Sequence, residues 1–99
     1  MKHIEKEEEF EELIKQDLVL VDFYANWCGP CQMLSPILEE LEKENTEITI
    51  VKIDVDKNET LARKHGVISI PYLEVYKSGN LVSKQVGYLS KEELKDLLK

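Results

Sequence analysis

The sequence of 99 residues has no long hydrophobic run, only two cysteines, and fewer basic residues than acidic ones. A membrane helix needs roughly 18 or more consecutive apolar residues, and no stretch of the chain approaches that length. The opening residues, Met1 to Lys6, also lack the apolar centre of a signal peptide. We therefore expect no membrane segment, and the cytoplasm is the predicted compartment.

Positive charge is in the minority, with 13 Lys and Arg against 20 Asp and Glu and a formal net charge of −7. A negative protein is repelled by phosphate backbones and by anionic membrane surfaces. The composition therefore predicts no nucleic-acid partner and no membrane partner. The densest acidic run, Glu5 to Glu12, accompanies apolar residues at helical spacing, which predicts the solvated face of an N-terminal helix.

No repeat, linker or low-complexity segment divides the chain, so residues 1–99 are predicted to form a single domain. The almost continuous apolar run Leu18 to Tyr24 predicts a strand buried on both faces. A helix is predicted from near the cysteines to about Asn45, kinked at Pro36. The apolar and polar alternation within Ile48 to Val55 predicts a half-exposed strand.

A short helix is then predicted, capped by Asn58 and ended by Gly66. Strand-like runs at Tyr72 to Lys77 and Leu81 to Val86 are separated by a loop short enough only for an antiparallel hairpin. A capping box at Ser90 opens the last helix. The predicted fold is α/β, with a mixed central sheet made of a parallel βαβ half and an antiparallel hairpin, flanked by helices.

The two cysteines, Cys28 and Cys31, are predicted to lie between a buried strand and a helix. Cytosolic cross-links are seldom structural, so this spacing indicates catalysis, redox sensing or metal binding. The positive end of the helix would stabilise a thiolate at Cys28, the predicted nucleophile, and Cys31 would then resolve the mixed disulfide. His3 and His65 give no ligand spacing with the cysteines, so both are expected to be solvated or capping and no metal is predicted.

The segment around the cysteines reads Val21-Asp22-Phe23-Tyr24-Ala25-Asn26-Trp27-Cys28-Gly29-Pro30-Cys31. Further motifs are Pro36, Ile53-Asp54-Val55-Asp56, Gly66-Val67, Ile70-Pro71, Lys77-Ser78-Gly79 and Val86-Gly87. Together they closely resemble the thioredoxin family over nearly the whole chain. The resemblance implies the thioredoxin fold and a protein-disulfide reductase that works through the Cys28 and Cys31 disulfide. It implies no other cofactor, and it implies an external thioredoxin reductase as electron donor.

Further roles follow from the resemblance. Asp22 lies among apolar residues, so burial should raise its pKa, and the resemblance makes it the acceptor of the proton from Cys31. The resemblance brings Lys52 to that acid, where it tunes the charge. Target peptides are expected to dock on residues beside the cysteines, namely a partly exposed Trp27, Gly29, Pro30, a cis peptide at Ile70 and Pro71, and Gly87.

Two positions depart from the family pattern: Tyr24 stands where thioredoxins usually carry Trp, and Tyr72 where they usually carry Thr. Because Tyr72 is expected to adjoin the substrate groove, partner preference stays open. We consider a general thioredoxin acting as a monomer on many disulfide-containing proteins, a dedicated electron carrier for one enzyme, and a binding subunit with an incidental dithiol. Retention of both cysteines and Asp22 argues against the binding subunit.

Overall fold

A central five-stranded sheet organises the protein, and a computed structural model describes all of residues 1–99. The strands are β1 (Lys2–His3), β2 (Leu18–Tyr24), β3 (Thr49–Asp54), β4 (Tyr72–Lys77) and β5 (Asn80–Val86). The helices are α1 (Glu7–Leu13), α2 (Gly29–Glu44), α3 (Glu59–Lys64) and α4 (Lys91–Leu97). None of these helices combines the length and the apolar character that a membrane span requires.

The strands lie in the order β1-β3-β2-β4-β5. Strand β3 is parallel to both β1 and β2, whereas β4 is antiparallel to both β2 and β5. This arrangement confirms the predicted mixed sheet, with a parallel half and an antiparallel hairpin. It also makes β2 the middle strand, so the segment that joins β2 to α2 and carries the cysteines leaves from the centre of the sheet.

Successive side chains of β2 point to opposite faces of the sheet, and both faces are covered. Val19, Val21 and Phe23 join a core cluster that contains Phe10 of α1 and Leu61 of α3. On the opposite face, Leu20 joins a cluster made with residues of α2 and α4, namely Leu34, Leu38, Leu41 and Leu94. Burial of each such large apolar side chain stabilises the fold by about 1.5–3 kcal/mol, which explains why the run in β2 is continuously apolar.

Strand β3 corrects the prediction of a half-exposed strand. It is paired on both sides, and five of its six residues are buried. Lys52 and Asp54, whose polar character suggested a solvent-facing side, are 4% and 7% exposed. The alternation therefore marks polar groups that have partners inside the protein. The strand with a largely exposed surface is β5, at the other edge of the sheet.

The turns and caps agree with the sequence in most respects. The hairpin turn is formed by Ser78 and Gly79, both with positive φ (51° and 84°), a conformation that favours glycine at the second position. Gly66 follows α3 with φ 68°, as predicted. Asn58 occupies the cap position of α3, but its side chain does not cap the helix and instead donates to the carbonyl oxygen of Asp54 at 3.1 Å.

Candidate active site

The two cysteines lie where the chain enters α2 after leaving β2. Cys28 is the N-cap residue of this helix, and Gly29, Pro30 and Cys31 form its first three positions. Proline suits the first turn because its missing N–H would have had no partner inside the helix. Local sequence and helix geometry therefore place Cys28 at the positive end of a 16-residue helix.

Cys28 and Cys31 are joined in a disulfide, and their Cα atoms are 5.3 Å apart. The backbone N–H of Cys31 donates to Sγ of Cys28 at 3.3 Å. After reduction, this N–H and the helix N-terminus favour a thiolate over a thiol on Cys28. Both cysteines are buried, Cys28 to 5% exposure and Cys31 to 2%, but only Cys28 occupies the cap position. The helix N-terminus therefore favours Cys28 over Cys31 as the activated sulfur.

Asp22 is a fully buried carboxylate, with 0% exposure. Lys52 of β3 is paired with Asp22 in the sheet, and its Nζ atom donates to Oδ2 of Asp22 at 2.8 Å. The other carboxylate oxygen, Oδ1, has no hydrogen-bond partner. Burial raises the pKa of Asp22, although the charge and the hydrogen bond of Lys52 act in the opposite direction. A carboxyl group with a raised pKa and an unoccupied acceptor oxygen is suited to proton transfer.

Tyr24 lies against this buried pair. The Nζ atom of Lys52 is 4.4 Å from the centroid of the Tyr24 ring, within the range of a cation–π contact. Burial raises the pKa of Tyr24, and the negative charges of Asp54 and Asp22 add to that effect. Tyr24 and Lys52 line a cleft of about 230 Å³ that also reaches Cys31. One cleft, which His3 of β1 also lines, therefore reaches both Lys52, the partner of Asp22, and the second cysteine.

The peptide between Ile70 and Pro71 is cis, as the resemblance implied, and it faces the first cysteine. The carbonyl oxygen of Ile70 is 3.8 Å from Sγ of Cys28. Gly87 lies beside this edge because its N–H donates to the carbonyl oxygen of Pro71 at 2.8 Å. Gly87 has φ 98°, a conformation that glycine adopts without steric cost. The structure therefore brings Ile70, Pro71 and Gly87 together on one side of Cys28.

Trp27 is 72% exposed, which agrees with the predicted partial exposure. Its Nε1 donates to Oδ2 of Asp56 at 2.8 Å. Sequence reasoning missed Asp56 as a partner of this ring. A signal was present, because Trp27 follows β2 and Asp56 follows β3, and parallel neighbouring strands end at the same edge of the sheet.

Two residues near the site have partners that the sequence did not predict. Tyr72 follows Pro71 in the chain, its side chain is 6% exposed, and its hydroxyl donates to Oε2 of Glu74 at 3.0 Å. His65 is the C-cap residue of α3, which agrees with the capping alternative, and its side chain is not free in solvent, because its Nδ1 lies 2.9 Å from Oε2 of the same carboxylate. Both contacts were missed because Glu74 was not recognised as a buried carboxylate.

No group of three or more His, Cys, Asp and Glu side chains is arranged to hold a metal ion. The chemistry that the described residues support is that of the dithiol itself: an activated sulfur, a second sulfur in the next turn, a buried acid and a neighbouring backbone edge.

Known proteins match the chain along its whole length. The family model described as Thioredoxin matches residues 1–99. Thioredoxin from Mycoplasmoides gallisepticum is 42% identical over 100 residues, covering 100% of both chains. Thioredoxin from Bacillus subtilis is 51% identical over 84 residues, covering 84% of this chain and 81% of the relative.

Solved structures agree with the sequence matches. Thioredoxin from Fasciola hepatica superposes with a TM-score of 0.91 at 35% identity, covering 99% of this chain and 96% of that one. A mutant thioredoxin from Halobacterium salinarum NRC-1 gives a TM-score of 0.92 at 40% identity, covering 98% and 86%. The chain therefore belongs to the thioredoxin family, and it is a thiol–disulfide oxidoreductase that reduces protein disulfides by exchange through Cys28 and Cys31.

Proposed function

We propose that the chain is a general electron donor to disulfides of several proteins, with Cys28 as the attacking sulfur. The observation that carries this proposal is the position of Cys28 at the N-cap of α2, with the N–H of Cys31 directed at its Sγ. A helix N-terminus stabilises negative charge, so it favours the thiolate of Cys28 over the thiol. The thiolate is the form of cysteine that attacks disulfides.

In the first step, the Cys28 thiolate attacks one sulfur of the target disulfide. The target S–S bond breaks, a mixed disulfide between Cys28 and the target forms, and the leaving thiolate of the target takes a proton from solvent. The extended target segment docks on the edge made by Ile70, Pro71 and Gly87 through main-chain hydrogen bonds. Trp27, which is exposed, and Gly29 and Pro30, which begin α2 beside Cys28, supply further contacts to the target.

In the second step, Cys31 gives its proton to the carboxylate of Asp22 and attacks Sγ of Cys28. The mixed disulfide breaks, the second target sulfur leaves as a thiolate and is protonated, and the target has gained two electrons. This step is intramolecular, so the second thiol acts at high effective concentration. Lys52 limits the rise in the pKa of Asp22, because its charge and its hydrogen bond oppose the effect of burial.

Each turnover leaves the Cys28–Cys31 disulfide, so two electrons and two protons must be returned to it. Family membership supports a separate thioredoxin reductase as their source, and no cofactor other than the dithiol enters the scheme. We place the reaction in the cytoplasm, where it would serve electron transport and cell redox homeostasis. The chain is proposed to act there as a monomer.

The proposal is tested by steady-state reduction of two unrelated disulfide-containing proteins, insulin and ribonuclease, by the wild type, Cys28→Ser and Cys31→Ser. Dithiothreitol returns the two electrons after each turnover, and its own rate of reduction is subtracted. We expect turnover of both substrates by the wild type and by neither variant. Turnover by either serine variant at the wild-type rate would remove the dithiol from the mechanism. Reduction of only one substrate would contradict a general role and favour a dedicated carrier.

A further inference from the structure

A buried polar cluster lies outside the dithiol chemistry and centres on Glu74 of β4, which is 1% exposed. Its Oε2 accepts from the hydroxyl of Tyr72 at 3.0 Å and lies 2.9 Å from Nδ1 of His65. Its Oε1 accepts from the hydroxyl of Tyr76 at 2.8 Å. Burying a carboxylate is costly, and an apolar side chain of similar volume is often at least as stabilising. The cluster therefore needs a reason other than stability.

The position of two partners supplies that reason. His65 is the residue at which α3 ends, and Tyr72 is the first residue of β4. Residues 66–71, which we name the docking loop, connect these two points and carry Ile70 and Pro71. The carboxylate of Glu74 thus contacts the residue on each side of the docking loop: Oε2 meets both residues, and Oε1 also lies 3.0 Å from Nδ1 of His65.

The docking loop is anchored near its ends, where the N–H of Val67 donates to the carbonyl oxygen of Ala62 at 3.0 Å and the N–H of Gly87 donates to that of Pro71 at 2.8 Å, and its middle has few buried contacts. Gly66, Ile68 and Ser69 are exposed, Ile68 to 96%. Segments with few buried contacts open most easily, so the position of such a loop depends on how its ends are fixed. The edge at Ile70 must nevertheless keep its place beside Cys28.

Aromatic packing holds the two end residues in place around Phe23 of β2. The rings of His65 and Tyr72 have centroids 5.4 Å and 5.6 Å from that of Phe23. The His65 ring also meets Phe10 of α1 edge-on at 5.0 Å. Such contacts fix ring orientation and add to the hydrogen bonds.

The ionisation states of Glu74 and Tyr72 allow the hydrogen bonds within the cluster. Burial alone would raise the pKa of Glu74, but the hydrogen bonds from His65, Tyr76 and Tyr72 outweigh it and hold the pKa below its ordinary value. Burial, assisted by the bond to Glu74, raises the pKa of Tyr72 to about 12. At neutral pH the carboxylate is therefore an acceptor, and the Tyr72 hydroxyl keeps the proton that it donates.

We propose that Glu74 is a positioning residue that clamps both ends of the docking loop through His65 and Tyr72, and thereby sets the affinity for protein disulfides. This inference rests on the proposed function, because it assumes that the edge at Ile70 and Pro71 docks the target. A small disulfide with no peptide backbone does not use that edge, so its reduction would be insensitive to the clamp.

The chain offers a matched pair of variants, Tyr72→Phe and Tyr76→Phe. Each removes one hydroxyl that donates to Glu74, but only Tyr72 adjoins the docking loop. We expect Tyr72→Phe to raise KM for insulin about threefold with little change in kcat, the effect of losing one hydrogen bond to a positioned group. Tyr76→Phe should leave KM unchanged. Both variants should reduce 5,5′-dithiobis(2-nitrobenzoate) at the wild-type rate.

A second pair tests the other end of the loop. His65→Leu should raise KM for insulin as Tyr72→Phe does. His65→Asn should have a KM close to that of the wild type, because its amide can replace the Nδ1 donor. Amide hydrogen exchange gives a readout that does not depend on turnover: residues 66–70 should exchange faster in Tyr72→Phe than in Tyr76→Phe.

Equal KM values and equal exchange rates in the two phenylalanine variants would overturn the clamp and leave Glu74 a purely structural residue. Failure of the proposed function would look different. In that case the wild type would reduce neither substrate, or Cys28→Ser would reduce both.

Discussion

Asp22 shows how the burial of a single residue affects both stability and chemistry. Its pKa is raised above the ordinary value of 3.8 in the folded protein, mainly by burial. At pH values between 3.8 and the raised pKa, the folded state binds more protons than the unfolded state. The free energy of unfolding therefore falls as pH rises through that interval. Each tenfold difference in proton affinity contributes about 1.4 kcal/mol.

We predict that Asp22→Asn abolishes this pH dependence, because asparagine does not titrate. The free energy of unfolding of the variant should increase relative to the wild type as pH rises above about 4, and the difference should level off once the buried acid is ionised. Urea unfolding of both proteins across this range measures it. Parallel stability profiles would show that the pKa of Asp22 is not raised.

Some of these residue-scale features were predictable and others were not. Burial of Asp22 followed from its apolar neighbours. Its pairing with Lys52 did not, because the two residues are 30 positions apart and meet only through the register of two strands; the family resemblance supplied that contact. Similarly, the contact of His65 with Glu74 was not predicted, because the buried carboxylate lies nine positions further along the chain.

Among the elements, α4 depends most visibly on its cap. Ser90 accepts from the N–H of Glu93 at 3.1 Å, and the Glu93 carboxylate accepts from the N–H of Ser90 at 3.0 Å, which is the predicted capping box. The helix is short, but it places Leu94 fully in the core on the α2 side of the sheet.

We predict that Ser90→Ala lowers the free energy of unfolding by about 1 kcal/mol, since an N–H of the first turn loses its acceptor. Ser90→Asp keeps an acceptor at the cap position and should leave stability nearly unchanged. Chemical unfolding of the three proteins checks both expectations. A loss of the same size in both variants would indicate that the serine contributes something other than its cap.

Predictability differed between elements for physical reasons. The bounds of β2 were predicted correctly, because a strand buried on both faces leaves a continuous apolar run. For β3, the type of element was right and its environment was wrong. Lys52 looked solvent-facing because sequence alternation cannot distinguish a charge in water from a charge that is buried with a partner.

At the scale of the whole molecule, the sheet order brings the ends of β2 and β3, the start of α2 and the start of β4 to one site. The mixed character of the sheet could be predicted from the order of elements along the chain. The place of β1 at one edge and β5 at the other could not, since strand order depends on contacts between distant segments. The cis peptide at Pro71 likewise came from the resemblance alone.

The central claim is that exchange begins at Cys28 and is completed by Cys31, and trapping of the covalent intermediate tests it most directly. Cys31→Ser should be incubated with a target protein disulfide and analysed by mass spectrometry without reduction, with Cys28→Ser as the matched control. We predict a stable adduct of Cys31→Ser through Cys28, and no adduct of Cys28→Ser. An adduct through Cys31 in the control, with none through Cys28, would contradict the account.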